Sequence, residues 1–331
     1  MPERMRAAVI GGPSHLNQIY VRTVDRPPVG PNDVLVRVHS AALNYRDVKE
    51  RREPPRPSSD PYIAGSDFAG EVVNTGSEVT GVDTGRHVVG LALAGACAEY
   101  VVTDASMVVA VPDALDLAIA STIPVSGLTA SFLVSSSGLP AGATAVTYAA
   151  AGGLGCYLGG LLHAAGVRTI GLTSNPTKAA VASQAGHTDI VLYRSTEPVE
   201  AVLSLTNGHG ADIVFDSIGG PAFHRSFQML ANEGAVVLCG RTAGEPDLGT
   251  IQKELIDVRR NRSLRDFFLR THIIDHFDQL SNRVDGLAGA LASGVLTVPV
   301  TALPLDEIAA AYDLLESGAT TGKLVIVPAQ G

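Results

Sequence analysis

The strongest chemical signal in the chain is the run at residues 148–156, YAAAGGLGC, where small side chains separate one apolar segment from the next. In a G-x-G-x-x-G register the three marked positions are Ala150, Gly152 and Gly155, so alanine replaces the first glycine. A strand before such a run and a helix after it aim backbone N–H groups at a helix N-terminus, where a pyrophosphate is held by donors and dipole together. Ala151, Gly152, Gly153 and Leu154 would form the phosphate turn, and Gly155 would let the helix pack closely on the sheet. A Gly/Ala-rich turn at an ordinary strand–helix junction is the competing reading.

A dinucleotide site that prefers NAD carries Asp or Glu about 20 residues further on, at the end of the second strand, to accept hydrogen bonds from the ribose. Here that position reads LTSNPTK, with Ser174, Asn175 and Lys178 and no carboxylate. Neutral donors and a lysine attract a 2′-phosphate. A charge-assisted hydrogen bond contributes about 1.5 to 3 kcal/mol, or roughly tenfold or more in favour of NADPH. A solvated lysine in the first turn of a helix is the alternative for Lys178.

The elements that must position these residues follow from periodicity. From Thr144 to Arg270, TAVTYAA, RTIGLT, DIVLY, ADIVFDSIG, GAVVLCG and DFFLR read as strands, and 155–165, 176–185, 197–206 and 221–231 read as helices. Six strands with crossover helices predict an α/β fold with a doubly wound parallel sheet. Residues 5–115 carry short β-rich segments (RAAVI, DVLVRVHSAAL, AGEVVNTG, RHVVGLAL, CAEYVVT) broken by turn residues, a spacing that suits a β-barrel. The segment ERREPPRPSSDP, 50–61, reads as an exposed loop. The tail holds two helical stretches, a strand LTVPV and a last strand KLVIVP, and periodicity does not assign it to either domain.

At 331 residues there is chain enough for two cores. A net charge of -9 opposes a broad nucleic-acid-binding face. The cluster Arg259, Arg260, Arg262 and Arg265 reads as a solvated helix face. The start, MPERMRAAVIGG, lacks a signal-peptide core, and no later segment is long and apolar enough to span a bilayer, so a cytoplasmic protein with no membrane partner is expected. Cys97, Cys156 and Cys239 are far apart and suggest neither a disulfide framework nor a cysteine-rich zinc site.

The ordered set ALNYRDV, AGSDFAGEVV, AEYVV, TIPVSGLTA, AAAGGLG, DIVLYR, FDSIGG and GKLVIV resembles the zeta-crystallin-like quinone oxidoreductase branch of the medium-chain dehydrogenase/reductase superfamily. The resemblance implies a GroES-like barrel from 1–122 and 272–331, a Rossmann NADPH-binding domain at 123–271, and a homodimer joined across the edge strand DFFLR. It places Asn44 and Tyr45 near nicotinamide or substrate and Thr129 at the nicotinamide end of the cofactor. It puts Gly152, Gly153 and Gly155 on the pyrophosphate, and Lys178 and Tyr193 on the 2′-phosphate. A strand-end aromatic capping the core is the other reading of Tyr193. Gly240, Arg241 and Lys323 match positions around the nicotinamide. For Arg241, unusual at its position, two readings stand: a contact to an acidic or carbonyl group of the substrate, or a surface ion pair.

Zinc-dependent members of that superfamily need thiolate and imidazole ligands. The first-ligand position here is Asn44 and the Gly-His-Glu position reads Gly65, Ser66, Asp67, so no metal is expected. His272 and His276 have i, i+4 spacing but lack the glutamate of H-E-x-x-H, and read as ordinary exposed or core histidines. The resemblance then implies hydride transfer from NADPH to a quinone or an α,β-unsaturated carbonyl. The alternatives are an enoyl reductase acting on a thioester or polyketide-type intermediate, and a non-catalytic NADPH-binding structural or sensor protein.

Overall fold

The computed structural model describes residues 3–11, 18–52, 62–256 and 260–328. The chain divides into two compact units, Met1–Gly127 with Asp278–Ser293 and Pro299–Gly331, and Leu128–Phe277 with Gly294–Val298.

The first unit is the GroES-like part. Its larger sheet runs in the order Val300–Pro304, Lys323–Val327, Asp33–Ala42, Asp67–Thr75, His87–Leu91 and Val108–Ala110, with Tyr100–Asp104 also paired to Asp33–Ala42. A smaller sheet holds Ile19–Asp25, Arg4–Ile10 and Tyr62–Ile63. The Asp33–Ala42 strand serves three partners because register shifts at Leu35/Val36 and Val38/Ser40 bend it. Its alternate residues Val34, Val36 and Val38 are all buried in a core that also takes Phe68, Val72, Leu324 and Ile326. The C-terminal strand enters this sheet through the pairs Val325–Ala42 and Ile326–Ala41. Ile19–Asp25, absent from the sequence-based strands, pairs with Arg4–Ile10 along its whole length.

The second unit is the Rossmann-like part. Its six parallel strands run in the order Asp189–Leu192, Arg168–Thr173, Thr144–Thr147, Ala211–Asp216, Leu230–Leu238 and Ser263–Asp266. In chain order this is 3-2-1-4-5-6, the doubly wound arrangement. Helices Gly153–Ala164, Pro176–Gln184 and Pro198–Leu205 supply the crossovers and lie within a residue or two of the expected stretches.

Several expectations need correction: the helix expected at 221–231 is only His224–Gln228, with a strand from Leu230, and the strand expected at LTVPV lies instead at Val300–Pro304, where it pairs with Lys323–Val327. The sixth strand is Ser263–Asp266, not DFFLR: Phe267 is buried and its N–H donates to the Leu238 carbonyl, Phe268 faces outward, and Leu269–Asp275 is helical. Two adjacent phenylalanines carry high β propensity, but the burial of Ile273 from the following helix overrides it. The basic cluster is no helix face: Arg265 lies in that edge strand with a bond to the Ser136 carbonyl, and Arg262 bonds the Leu230 carbonyl, while Arg259 lies outside the described residues. Residues 50–52 of the expected loop close the helix Tyr45–Arg52, and 53–61 lie outside the described residues. Among the described residues no helix is long and apolar enough to cross a membrane.

Candidate functional site

In the second unit the glycine run follows the strand Thr144–Thr147 and opens the helix Gly153–Ala164, whose N-cap is Gly152. The chain leaves the strand through Ala149, at a left-handed φ of 48°, which costs about 1 to 2 kcal/mol for a residue with a Cβ. The turn is closed by the Gly152 N–H donating 2.8 Å to the Ala149 carbonyl. A Cβ on Gly155 would lie 2.4 Å from the Ala149 oxygen and 2.6 Å from the Ala150 oxygen, so this position admits glycine alone. Gly152 is less confined, its nearest neighbour being the Ala149 oxygen at 3.2 Å. The first turn of the helix therefore sits tight on the turn, with its N-terminus at the carboxyl end of the sheet.

The neighbouring loops leave the same end of the sheet. After Arg168–Thr173, Ser174 is buried and Asn175 caps the helix Pro176–Gln184 by accepting the Lys178 N–H at 2.9 Å. Burial lowers the Lys178 ammonium, and the positive charge of Arg194 lowers it further. Arg194 and Tyr193 follow the third strand, Asp189–Leu192; the Tyr193 N–H donates 3.0 Å to the Thr173 carbonyl and its side chain is exposed, which removes the core-capping alternative. Lys178 and Arg194 thus form a cationic edge at the position where an NAD site carries its acid. Arg194 stands in the stretch DIVLYR, yet nothing in its sequence neighbourhood gives it a role; only the folding of the third strand beside the second brings it to Lys178.

Beyond the switch in strand order, Asp216 ends the fourth strand and is buried, accepting the Ile218 and Gly219 N–H groups and the Ser226 hydroxyl. Gly240 packs against the loop it organises: a Cβ there would lie 2.5 Å from the Ser217 oxygen. Arg241 donates to Glu245 at 2.8 Å and to Asp266 at 2.7 Å, which is the ion-pair reading of that residue. Thr129, buried, is the second residue of the helix Leu128–Ser137. His272 and His276 join Phe132 and Phe267 in an aromatic cluster, with Phe267 and His272 centroids 4.3 Å apart.

In the first unit, the antiparallel register that pairs Ala42 with Val325 sets Lys323 opposite Asn44. The Leu43 N–H to Leu324 carbonyl bond, 2.9 Å, continues that register. Lys323 Nζ donates to Asn44 Oδ1 at 2.5 Å, across 279 residues of sequence. Asp47 Oδ2 accepts the Asn44 backbone N–H at 2.6 Å, the return half of a capping box at the start of the helix Tyr45–Arg52. Asp67, directly opposite Ala42 in the sheet, accepts from the Ser66 hydroxyl at 3.1 Å and from the Val125 N–H at 3.2 Å. Burial pushes Asp47 up to about 7 and raises Asp67 against the opposing pull of Lys323 and of a hydrogen bond from the Asn44 side chain. Lys323 is pulled down by burial and held up by the two carboxylates. Asn44 and Lys323 are therefore brought together, and Tyr45 follows Asn44 as the first residue of the helix Tyr45–Arg52. Asp47 is a site residue that sequence reasoning missed, although the N-x-x-D spacing of NYRD signals it.

Residues 30–113 match the family of the alcohol dehydrogenase GroES-like domain, and residues 185–326 match the zinc-binding dehydrogenase family. A quinone oxidoreductase of Pseudomonas aeruginosa is 31% identical over 335 residues, spanning 99% of this chain and all of that protein. This chain belongs to the quinone oxidoreductase branch of the medium-chain dehydrogenase/reductase superfamily. A quinone oxidoreductase of Escherichia coli, solved in complex with NADPH, superposes with a TM-score of 0.87 at 26% identity over 98% of this chain and 99% of that one. A stretch of a phenolphthiocerol/phthiocerol polyketide synthase of Mycobacterium tuberculosis is 31% identical over 344 residues; it spans 98% of this chain and 15% of that much longer protein.

One matched family is named for zinc, and the donor set of this dehydrogenase/reductase does not fit that ion. The positions of the expected ligands hold an amide, Asn44, and a hydroxyl, Ser66, and the amide oxygen already accepts a hydrogen bond from the Lys323 ammonium. Among the described residues no three His, Cys, Asp or Glu side chains converge as a metal site.

Proposed function

We propose that this oxidoreductase uses NADPH to reduce quinones or activated, carbonyl-conjugated alkenes. The observation that carries the cofactor half is the second-strand end, where Ser174, Asn175, Lys178 and Arg194 stand in place of a carboxylate. The turn Ala151–Gly155 would hold the pyrophosphate, Lys178, Arg194 and Tyr193 the 2′-phosphate, and Thr129 and Gly240 the nicotinamide end. The NADPH complex of the Escherichia coli relative supports this reading.

For the acceptor half, a site without thiolate and imidazole ligands at its ligand positions has no Lewis acid to activate a plain alcohol. It suits acceptors that are electrophilic on their own. NADPH, once bound, would supply hydride to a quinone ring or to the β-carbon of an enone, leaving negative charge on the carbonyl oxygen. Asn44, held by Lys323, would stabilise that charge, and Tyr45 or water would return one proton to complete the two-electron reduction. The chain's remaining contribution is to hold the two carbons close and exclude water.

The match to a stretch of a polyketide synthase favours one second reading, an enoyl reductase for thioester or polyketide-type intermediates. Turnover of NADPH with a small quinone, an enone and an enoyl thioester separates the two. Activity confined to alcohols with NAD+ would overturn both, and tight NADPH binding with no turnover of any acceptor would leave a binding or sensor protein. We also propose a homodimer through the edge strand Ser263–Asp266, flanked by the exposed Phe268 and Ile274. Light scattering that finds only monomer would refute it.

A further inference from the structure

Asp47 and Asp67 are fully buried and Lys323 is 5% exposed, so two carboxylates and one ammonium share the interior of the first unit. A buried carboxylate persists only with a counter-charge or a full set of donors. Asp67 has donors in Ser66, Val125 and the Asn44 side chain, and Asp47 has one in the Asn44 N–H, leaving Asp47 Oδ1 buried without a hydrogen-bond partner. Lys323 is a buried cation of the same network: it donates to the Asn44 amide oxygen while Asp47 accepts the Asn44 N–H, and its charge favours the ionised form of both carboxylates. Its place is set by the sheet, because the Ala42–Val325 pairing puts residue 323 across from residue 44, where it donates to the Asn44 amide oxygen. Asn44 and Ser66 are the positions at which zinc-dependent members of the superfamily carry ligands.

We propose that the Lys323 ammonium is the resident cation of this buried acidic pocket and takes over there the role of a divalent metal ion. It neutralises the carboxylate charge and fixes the side chain at the first ligand position. A divalent ion exchanges with solvent and responds to chelators, whereas an ammonium on a strand cannot leave. Stability then depends on Lys323 and not on metal supply. Removing the ammonium side chain leaves Asp47, Asp67, the Ser66 hydroxyl and the Asn44 oxygen, an all-oxygen set suited to a hard divalent cation rather than to zinc.

The test reads melting temperature and metal binding, so it is independent of the cofactor and acceptor proposed above. The wild-type protein is expected to melt at the same temperature with EDTA or with excess Mn2+. Lys323→Met should lower that temperature by roughly 10 °C, and adding Asp67→Asn to it should recover a large part of the loss by removing the orphaned charge. Lys323→Ala, which leaves space, should bind Mn2+ by electron paramagnetic resonance and gain several degrees from it; Asp67→Asn should abolish both effects. If Lys323→Ala does not fold, the Lys323→Met and Lys323→Met/Asp67→Asn comparison decides alone. Stoichiometric divalent metal in the purified wild type, destabilisation of the wild type by EDTA, or a Lys323→Met loss that Asp67→Asn does not relieve would each overturn the proposal. So would a folded Lys323→Ala that ignores Mn2+.

Discussion

The Nε2 atom of His187 lies 3.0 Å from the carbonyl oxygen of Gly155, 32 residues earlier in the chain. The imidazole is buried, and its Nδ1 has no hydrogen-bond partner. Donation from Nε2 to the carbonyl makes it the neutral tautomer. It ties the approach to the third strand to the first turn of the helix that opens at the glycine run, at the residue whose missing Cβ lets that helix sit down.

Burial holds His187 down to about 4 from an ordinary 6.5. Because the folded value is depressed, the unfolded chain takes up the proton first. Stability from this residue is full above pH 6.5 and lost as pH falls toward 4. The full loss amounts to about 3 kcal/mol. His187→Gln keeps a donor for Gly155 without the titration, so its denaturation curves should lose part of the acid limb. Identical pH profiles for the two proteins would count against this assignment.

Gly155→Ala sets a methyl against backbone oxygens at 2.4 and 2.6 Å, neither of which is a flexible side-chain end. Overpacking of this kind costs about 1 to 3 kcal/mol, and the displaced helix start should weaken NADPH binding by roughly tenfold or more. Gly152→Ala, with its nearest atom at 3.2 Å, should be milder in stability. Fluorescence titration and urea melts check both, and an unchanged Kd for Gly155→Ala would contradict the phosphate assignment.

Lys178→Ala and Arg194→Ala should each raise the Kd for NADPH by roughly tenfold while leaving NADH binding unchanged. Equal weakening toward both cofactors would mean that these cations act on the protein and not on a 2′-phosphate.

Arg241→Ala breaks ion pairs with Glu245 and Asp266, whose side chains are 74% and 62% exposed. Such pairs contribute about 0 to 1 kcal/mol, so melting temperature, NADPH affinity and kcat/KM should all stay close to wild type. A large fall in kcat/KM would return Arg241 to the substrate.

Elements with strong periodicity are legible in the sequence. The parallel strands from Thr144 to Asp216 and the three helices between them lie where alternation and small-residue turns put them, whereas the helix expected at 221–231 shrinks to His224–Gln228 because the next strand already begins at Leu230. Boundaries near aromatic pairs are not, as Phe267 and Phe268 show: propensity sees two β-formers, while packing needs one of them inside and a helix directly after. Ile19–Asp25 is hidden because its burial is irregular, with Ile19 and Val24 inward and no clean alternation between them.

The local order of residues determined the glycine turn, the absence of an acid at the second-strand end and the absence of zinc ligands, because each is a matter of residue type at short spacing. Tertiary structure alone decided which distant groups meet. Lys323 reaches Asn44 only through strand register, Arg194 reaches Lys178 only through parallel pairing of the second and third strands, and Asp47 and Asp67 become strongly perturbed only because the core closes over them. Spacing along a chain carries information about turns and helix faces, but the charge balance of a buried pocket depends on contacts whose sequence separation has no fixed period.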